Sequence, residues 1–167
     1  MFAYCRNNPV SRKDVTGTVD LQVFLDDGSD GDVDCFPIDP DDVCAGGWGT
    51  FGQALQDAAD GLNMAMGQRG MSHTERHHVL SDKSKTYSPQ YKEITDRYNY
   101  KLSQEENIVS LPGHKGRHTN AYHDLMLWGI NLLDCIAAGD RTIFMEGIKV
   151  IAQFVEDNPL LPYAKYK

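Results

Sequence analysis

The C-terminal part of the chain repeats apolar residues at helical spacing and predicts two amphipathic helices. The first covers about 120–137, with an apolar stripe formed by Tyr122, Leu125, Met126, Gly129, Leu132, Leu133 and Ile136. The second begins after Asp140, a good N-cap residue, and ends at Asn158-Pro159. Trp128 is expected in the core by default, although its position off the main stripe of the first helix also permits exposure.

Shorter elements precede these helices. Two strand-like runs are predicted at 76–80 and 108–111, and a helix at about 89–98 lies between them. Residues 48–66 carry apolar positions at helical spacing and predict one further helix that packs on the rest. The order strand, insertion, strand, helix, helix indicates an α+β fold.

Charge divides the 167 residues into two unequal parts. The whole chain has a net charge of −8, which by itself argues against a nucleic-acid binder. Residues 1–70, however, hold 12 Asp and only four basic residues, whereas residues 71–167 hold 12 acidic and 12 basic residues and all six histidines. We therefore expect an acidic linker with one helix over 18–70 and the functional domain over 71–167.

Hydrophobic content and cysteine spacing exclude some classes of protein but do not indicate a function. A hydrophobic content of 41% permits a buried core, and no apolar run approaches the roughly 18 residues that a membrane span needs. Four cysteines form no C-x-x-C pair, which argues against a cysteine-based zinc site. Cys35 and Cys44 either close a small loop or remain free thiols. The acidic residues 20–42 are either a solvated spacer or a cover for a basic groove.

The histidines form the chemical signal of the sequence. His77 and His78 are adjacent on a predicted strand, so their side chains point to opposite faces and can take different roles. His114 and His118 are four residues apart, a spacing at which two imidazoles can converge on one ion if the turn is helical. Three histidine ligands leave an open coordination position, which is typical of a catalytic metal site.

Four stretches extend this pattern: RHHV at 76–79, NIVSLP at 107–112, GHKGRHTNAYH at 113–123 and DNP at 157–159. Together they resemble the HNH, or ββα-metal, nucleases, and more closely the AHH-type toxin branch, over about 72–163. Arg76 stands where the motif that names this branch has alanine. The resemblance implies a ββα-metal finger followed by two C-terminal helices, and a metal-dependent endonuclease that hydrolyses DNA.

The resemblance also implies roles for the central residues. His78 would be the general base that takes a proton from the attacking water. His77, His114 and His118 would hold one divalent ion, which can be Mg²⁺, Mn²⁺, Zn²⁺ or Ni²⁺. Asn107 would fix the chain that carries His78 through its side-chain amide.

Nearby residues are expected to contact the substrate. Lys83, Lys115 and Arg117 are candidates for binding backbone phosphates, which arginine binds in a bidentate manner. His123 would be a further phosphate contact or ligand, or would stabilise the start of the following helix.

The N-terminal residues 1–17 carry a tyrosine, an Asn-Asn-Pro-Val turn and a later Asp-x-x-Gly. This stretch resembles the end of the core of RHS-repeat proteins, in which a variable toxin domain follows, although Val15 replaces the usual proline. The resemblance implies a toxin that is secreted or delivered from a cell surface within a larger protein. It would act in the cytoplasm of a target cell, and a cognate immunity protein is expected.

Two other functions remain open from the sequence. An RNase on the same scaffold would need the same residues, since the finger positions a phosphate and a water without contacting the sugar. A zinc-stabilised interaction module without catalysis would use the histidines as structural ligands, and it predicts that metal removal unfolds the domain.

Overall fold

A computed structural model of the chain describes residues 40–63, 74–113 and 117–167, with side chains from residue 47 onward. Within these ranges the protein has four α-helices and two β-strands. They are α1 (Pro40–Asp60), β1 (Thr74–His78), α2 (Tyr87–Thr95), β2 (Ile108–Pro112), α3 (Asn120–Ala137) and α4 (Arg141–Asp157). Short 3-10 helices cover Asp96–Tyr98, Glu105–Asn107 and Leu161–Tyr163. The predicted α+β class is confirmed.

Strands β1 and β2 form an antiparallel pair that leads directly to helix α3. In the register of the pair, His77 lies opposite Val109 and His78 lies opposite Ile108. The predicted first strand over 76–80 was displaced by two residues, because β1 starts at Thr74 and ends at His78. One residue beyond that end, the backbone N–H of Val79 donates to the carbonyl of Asn107, 2.9 Å away, so the pairing continues in the same register as far as Val79.

Helices α3 and α4 have the predicted boundaries, and their ends explain why. Thr119 is the N-cap of α3, and its side chain accepts a hydrogen bond from the backbone N–H of Tyr122. Ala138 and Gly139 then adopt positive φ values of 47° and 92°, which end α3. Asp140 caps α4 through its side chain, as predicted from the sequence.

Helix α1 packs on both C-terminal helices and joins their core. Phe51 and Leu55 of α1 are fully buried together with the apolar faces of α3 and α4. The predicted helix over 48–66 therefore exists, but it ends at Asp60. Helix α1 shares one hydrophobic core with residues that follow position 70. The domain boundary predicted between residues 70 and 71 stays a prediction.

Trp128 is in the core, as expected by default from the sequence, and not exposed, as its position off the main stripe would have permitted. Its side chain is only 5% exposed, and α3 packs against α1, α2 and α4, so more than one face of this helix is covered. Within the described ranges, no helix combines the length and apolarity that crossing a bilayer requires. The side chains of Cys35 and Cys44 and the acidic residues 20–39 lie outside the described part of the chain.

Candidate active site

His77 is the buried histidine at the end of the first strand. The first three residues of β1 are exposed, whereas His77 is 2% exposed and His78 is half-buried. The alternation of a β-strand places these two neighbouring side chains on different faces of the hairpin. One imidazole therefore faces the protein interior while the next is accessible to solvent.

His118 meets His77 from the start of helix α3. The two ring centroids are 4.6 Å apart, and the ring planes are inclined by 50°. The C-terminal segment holds this helix start in place: the Thr119 backbone N–H donates to Pro162 at 3.1 Å, and the Thr119 hydroxyl donates to Ala164 at 2.6 Å. The sequence predicted that His77 and His118 share a function, and the fold brings them into contact.

Tyr122 contacts both His77 and His118. Its hydroxyl is 3.2 Å from Nε2 of His77 and donates to the carbonyl oxygen of Val79 at 2.9 Å. Its ring centroid is 4.9 Å from that of His118. The Tyr122 side chain is fully buried, and this burial raises the pKa of its hydroxyl well above the ordinary value, so the group stays protonated.

The side chain of Asn107 holds the backbone that follows β1 through hydrogen bonds. Its side-chain oxygen accepts from the backbone N–H of Leu80 at 2.8 Å, and its amide nitrogen donates to the carbonyls of Leu80 and Leu102 at 2.8 and 2.7 Å. Asn107 is 1% exposed, so these bonds replace water completely. They fix the backbone two residues beyond His78; a catalytic role for Asn107 stays a prediction.

The structure describes two of the three basic residues that were predicted to bind phosphate. Lys83 is exposed in the loop that follows the hairpin strand β1, and Arg117 is exposed immediately before His118. His114 and Lys115 lie outside the described residues, so their roles stay predictions.

His123 lies in an aromatic cluster behind the histidine pair. It is 7% exposed, its Nδ1 is 3.2 Å from the hydroxyl of Tyr91, and its ring stacks on that of Tyr87 with centroids 4.5 Å apart. Burial lowers the pKa of His123 to about 4, so the ring is neutral at pH 7. All of these contacts are with other residues of the protein. The predicted contact of His123 with phosphate stays a prediction.

Asp124 is the acidic residue beside this aromatic cluster. It accepts hydrogen bonds from the hydroxyls of Tyr87 and Tyr166, and burial raises the pKa of its carboxyl group. The sequence analysis placed Tyr122 in the apolar stripe of the first C-terminal helix and gave no role to Tyr87, Tyr91 or Asp124. A signal for Tyr122 was present, because it belongs to the stretch at 113–123 that carries the family resemblance.

The donor chemistry of the site fits a divalent transition metal. His77 and His118 offer two imidazoles in ring contact, and imidazole suits zinc and nickel. No cluster of three or more His, Cys, Asp or Glu side chains able to bind a metal occurs within 40–63, 74–113 and 117–167. The third predicted ligand, His114, lies outside those ranges.

A two-stranded antiparallel hairpin followed by a helix, with histidines where the first strand ends and the helix begins, is the arrangement of ββα-metal nucleases. The model of the AHH family matches residues 59–143, just over half of the chain, and the chain belongs to this family. AHH is described as a nuclease family of the HNH/ENDO VII superfamily with conserved AHH. Members of this superfamily typically bind a metal. No match was found among curated proteins or among solved structures.

Proposed function

We propose that this nuclease domain is a metal-dependent endonuclease that hydrolyses the phosphodiester bonds of DNA. The observation that carries the proposal is the pairing of a buried His77 against His118 beside a half-buried His78. Structural histidines need no accessible neighbour, whereas hydrolysis needs one histidine on the metal and one on the water. The family match supports the nuclease part of this proposal.

The proposed reaction gives separate roles to His78, to the three histidine ligands and to Asn107. His78 takes a proton from a water molecule, whose oxygen attacks phosphorus while the bond from phosphorus to the 3′ oxygen breaks. His77, His118 and His114 hold the divalent ion. When bound, such an ion stabilises negative charge on the phosphate and on the leaving oxygen. Asn107 keeps the chain beyond His78 in one conformation through its bonds to Leu80.

Substrate binding in this proposal depends on exposed cations near the histidines. Lys83 and Arg117 are exposed on the two segments that flank the histidine pair, and Lys115 is expected to join them. Arginine and lysine on phosphates give binding that depends strongly on salt and weakly on base sequence. If the protein degraded RNA and not DNA, the same residues would form the active site of an RNase.

We further propose that the domain acts as a toxin in the cytoplasm of a target cell, delivered as part of a larger RHS-type protein. Its support is the resemblance of residues 1–17 to the end of an RHS core, together with the nuclease family. An active nuclease would damage the cell that makes it, so a cognate immunity protein is proposed as its partner.

Cleavage assays test the function and the substrate together. Purified full chain is incubated with supercoiled plasmid or total tRNA, in the presence of Mg²⁺, Mn²⁺, Zn²⁺, Ni²⁺ or EDTA. We expect plasmid cleavage that requires a metal and is lost in EDTA. Degraded tRNA beside intact plasmid would make the protein an RNase. Loss of the fold in EDTA, with neither substrate cleaved, would make the histidines structural and refute the proposal.

A further inference from the structure

The Tyr122 hydroxyl makes two hydrogen bonds, and only one of them can use its proton. The carbonyl oxygen of Val79 can only accept, so the hydroxyl donates its proton there, over 2.9 Å. Toward Nε2 of His77, 3.2 Å away, the same oxygen must therefore accept. An imidazole nitrogen that donates carries a hydrogen, which means that Nε2 of His77 is the protonated nitrogen.

This hydrogen-bond direction determines the tautomer of His77. In a neutral imidazole one nitrogen carries the hydrogen and the other carries the lone pair that can bind a metal. With the hydrogen on Nε2, the lone pair lies on Nδ1. We propose that Tyr122 is a positioning residue that holds His77 in the Nε2–H tautomer and makes Nδ1 its metal-binding atom; the inference rests on the proposed role of His77 as a ligand.

Burial makes this arrangement specific. Tyr122 is 0% exposed and His77 is 2% exposed, so bulk water does not compete for either group. A Tyr hydroxyl that already donates to a carbonyl is also a better acceptor, because hydrogen bonds in a chain polarise one another. A ligand histidine commonly donates its second nitrogen to a protein oxygen in this way, which orients its ring.

Tyr122 also couples the two histidines and the strand end. Its ring contacts His118, its backbone N–H donates to the side chain of Thr119, and its hydroxyl holds the carbonyl of Val79. Val79 directly follows His78. One side chain of α3 thus touches both proposed ligands that the structure describes and the residue after the proposed base.

The tautomer can be measured without catalysis. Long-range ¹H–¹⁵N correlation spectra of the metal-free, ¹⁵N-labelled full chain distinguish the protonated nitrogen of His77 from the lone-pair nitrogen. At about pH 8, above the usual histidine pKa of about 6.5, we expect the hydrogen on Nε2. Tyr122→Phe should yield a mixture of tautomers. A wild-type His77 with its hydrogen on Nδ1 would overturn the inference.

Zinc titration tests the consequence for binding. Addition of Zn²⁺ should shift the Nδ1 resonance of His77, and Tyr122→Phe should weaken zinc affinity about 10–100-fold. Tyr98→Phe is the matched control, since it removes the hydroxyl of another buried tyrosine, which bonds Asp134 and not a histidine, and it should leave zinc affinity unchanged. Binding through Nε2, no perturbation of His77, or equal losses in the two variants would refute the inference.

The outcomes separate this inference from the proposed function. Zinc bound through Nδ1 of His77 in a chain that cleaves no nucleic acid would support the inference and contradict the nuclease proposal. Metal-dependent cleavage with zinc on Nε2 would do the reverse. If Tyr122→Phe does not fold, the wild-type spectra with and without zinc decide the question alone.

Discussion

Replacement of Asn107 by alanine tests how the end of strand β1 is held. The Asn107 side chain makes three hydrogen bonds to backbone groups, two with Leu80 and one with Leu102, and all lie in the interior. Alanine removes every one of them and supplies no replacement. The N–H and carbonyl of Leu80 and the carbonyl of Leu102 then lose these partners in a buried environment.

The loss can be worked from these bonds. A typical intramolecular hydrogen bond contributes about 1 kcal/mol net, and a buried group left without a partner costs about 1–3 kcal/mol. Three lost bonds with incomplete rearrangement therefore lower the free energy of unfolding by about 3–5 kcal/mol. For a chain of this size each kcal/mol corresponds to about 2–4 °C, so we expect the melting temperature to fall by roughly 6–20 °C.

Urea denaturation of wild type and Asn107→Ala measures this difference. Asn131→Ala is the matched control: Asn131 makes one local bond to Leu127 within helix α3, and alanine there also improves helix propensity. Its effect should stay within about 1 kcal/mol. Equal losses of stability in the two variants would show that Asn107 does not hold the end of the strand.

Two further predictions concern packing and pH. Gly147→Ala should destabilise by about 1–3 kcal/mol, because its Cβ would lie 2.1 Å from Leu133; Gly49→Ala, with open space around its Cβ, should not destabilise, and thermal melting compares them. Burial lowers the folded-state pKa of His123 to about 4, below its unfolded value of about 6.5, so the unfolded state gains the proton first and the stability that the neutral ring provides, present above pH 6.5, is lost as the pH falls toward 4. Denaturation at several pH values in EDTA should therefore show a shallower loss for His123→Phe than for wild type; equal slopes would contradict this origin.

The sequence predicted the elements that local patterns determine. Helices α3 and α4 were found at their observed bounds because the apolar period, the Asp140 cap and the Asn158-Pro159 stop all act locally. These signals depend on information within a few residues. The pairing of His77 with His118, 41 residues later, followed from the family resemblance.

Features that depend on contacts between distant segments were not predictable. Trp128, off the main apolar stripe of α3, is buried in a helix that packs against α1, α2 and α4, and a single stripe does not show that several faces are covered. The backbone at Leu80, just beyond β1, is held by the side chain of Asn107, 27 residues later in the chain. The role proposed for Tyr122 rests on the direction of its bond to Val79, which only the fold shows.

Cleavage and stability of His78→Ala, measured on the same preparation, test the central claim most directly. The account predicts that plasmid cleavage disappears while the melting temperature stays close to that of wild type, since His78 is half-buried and the structural bonds belong to Asn107 and Tyr122. Wild-type rates of metal-dependent cleavage in His78→Ala, or loss of activity only through unfolding, would contradict the assignment of His78 as the base.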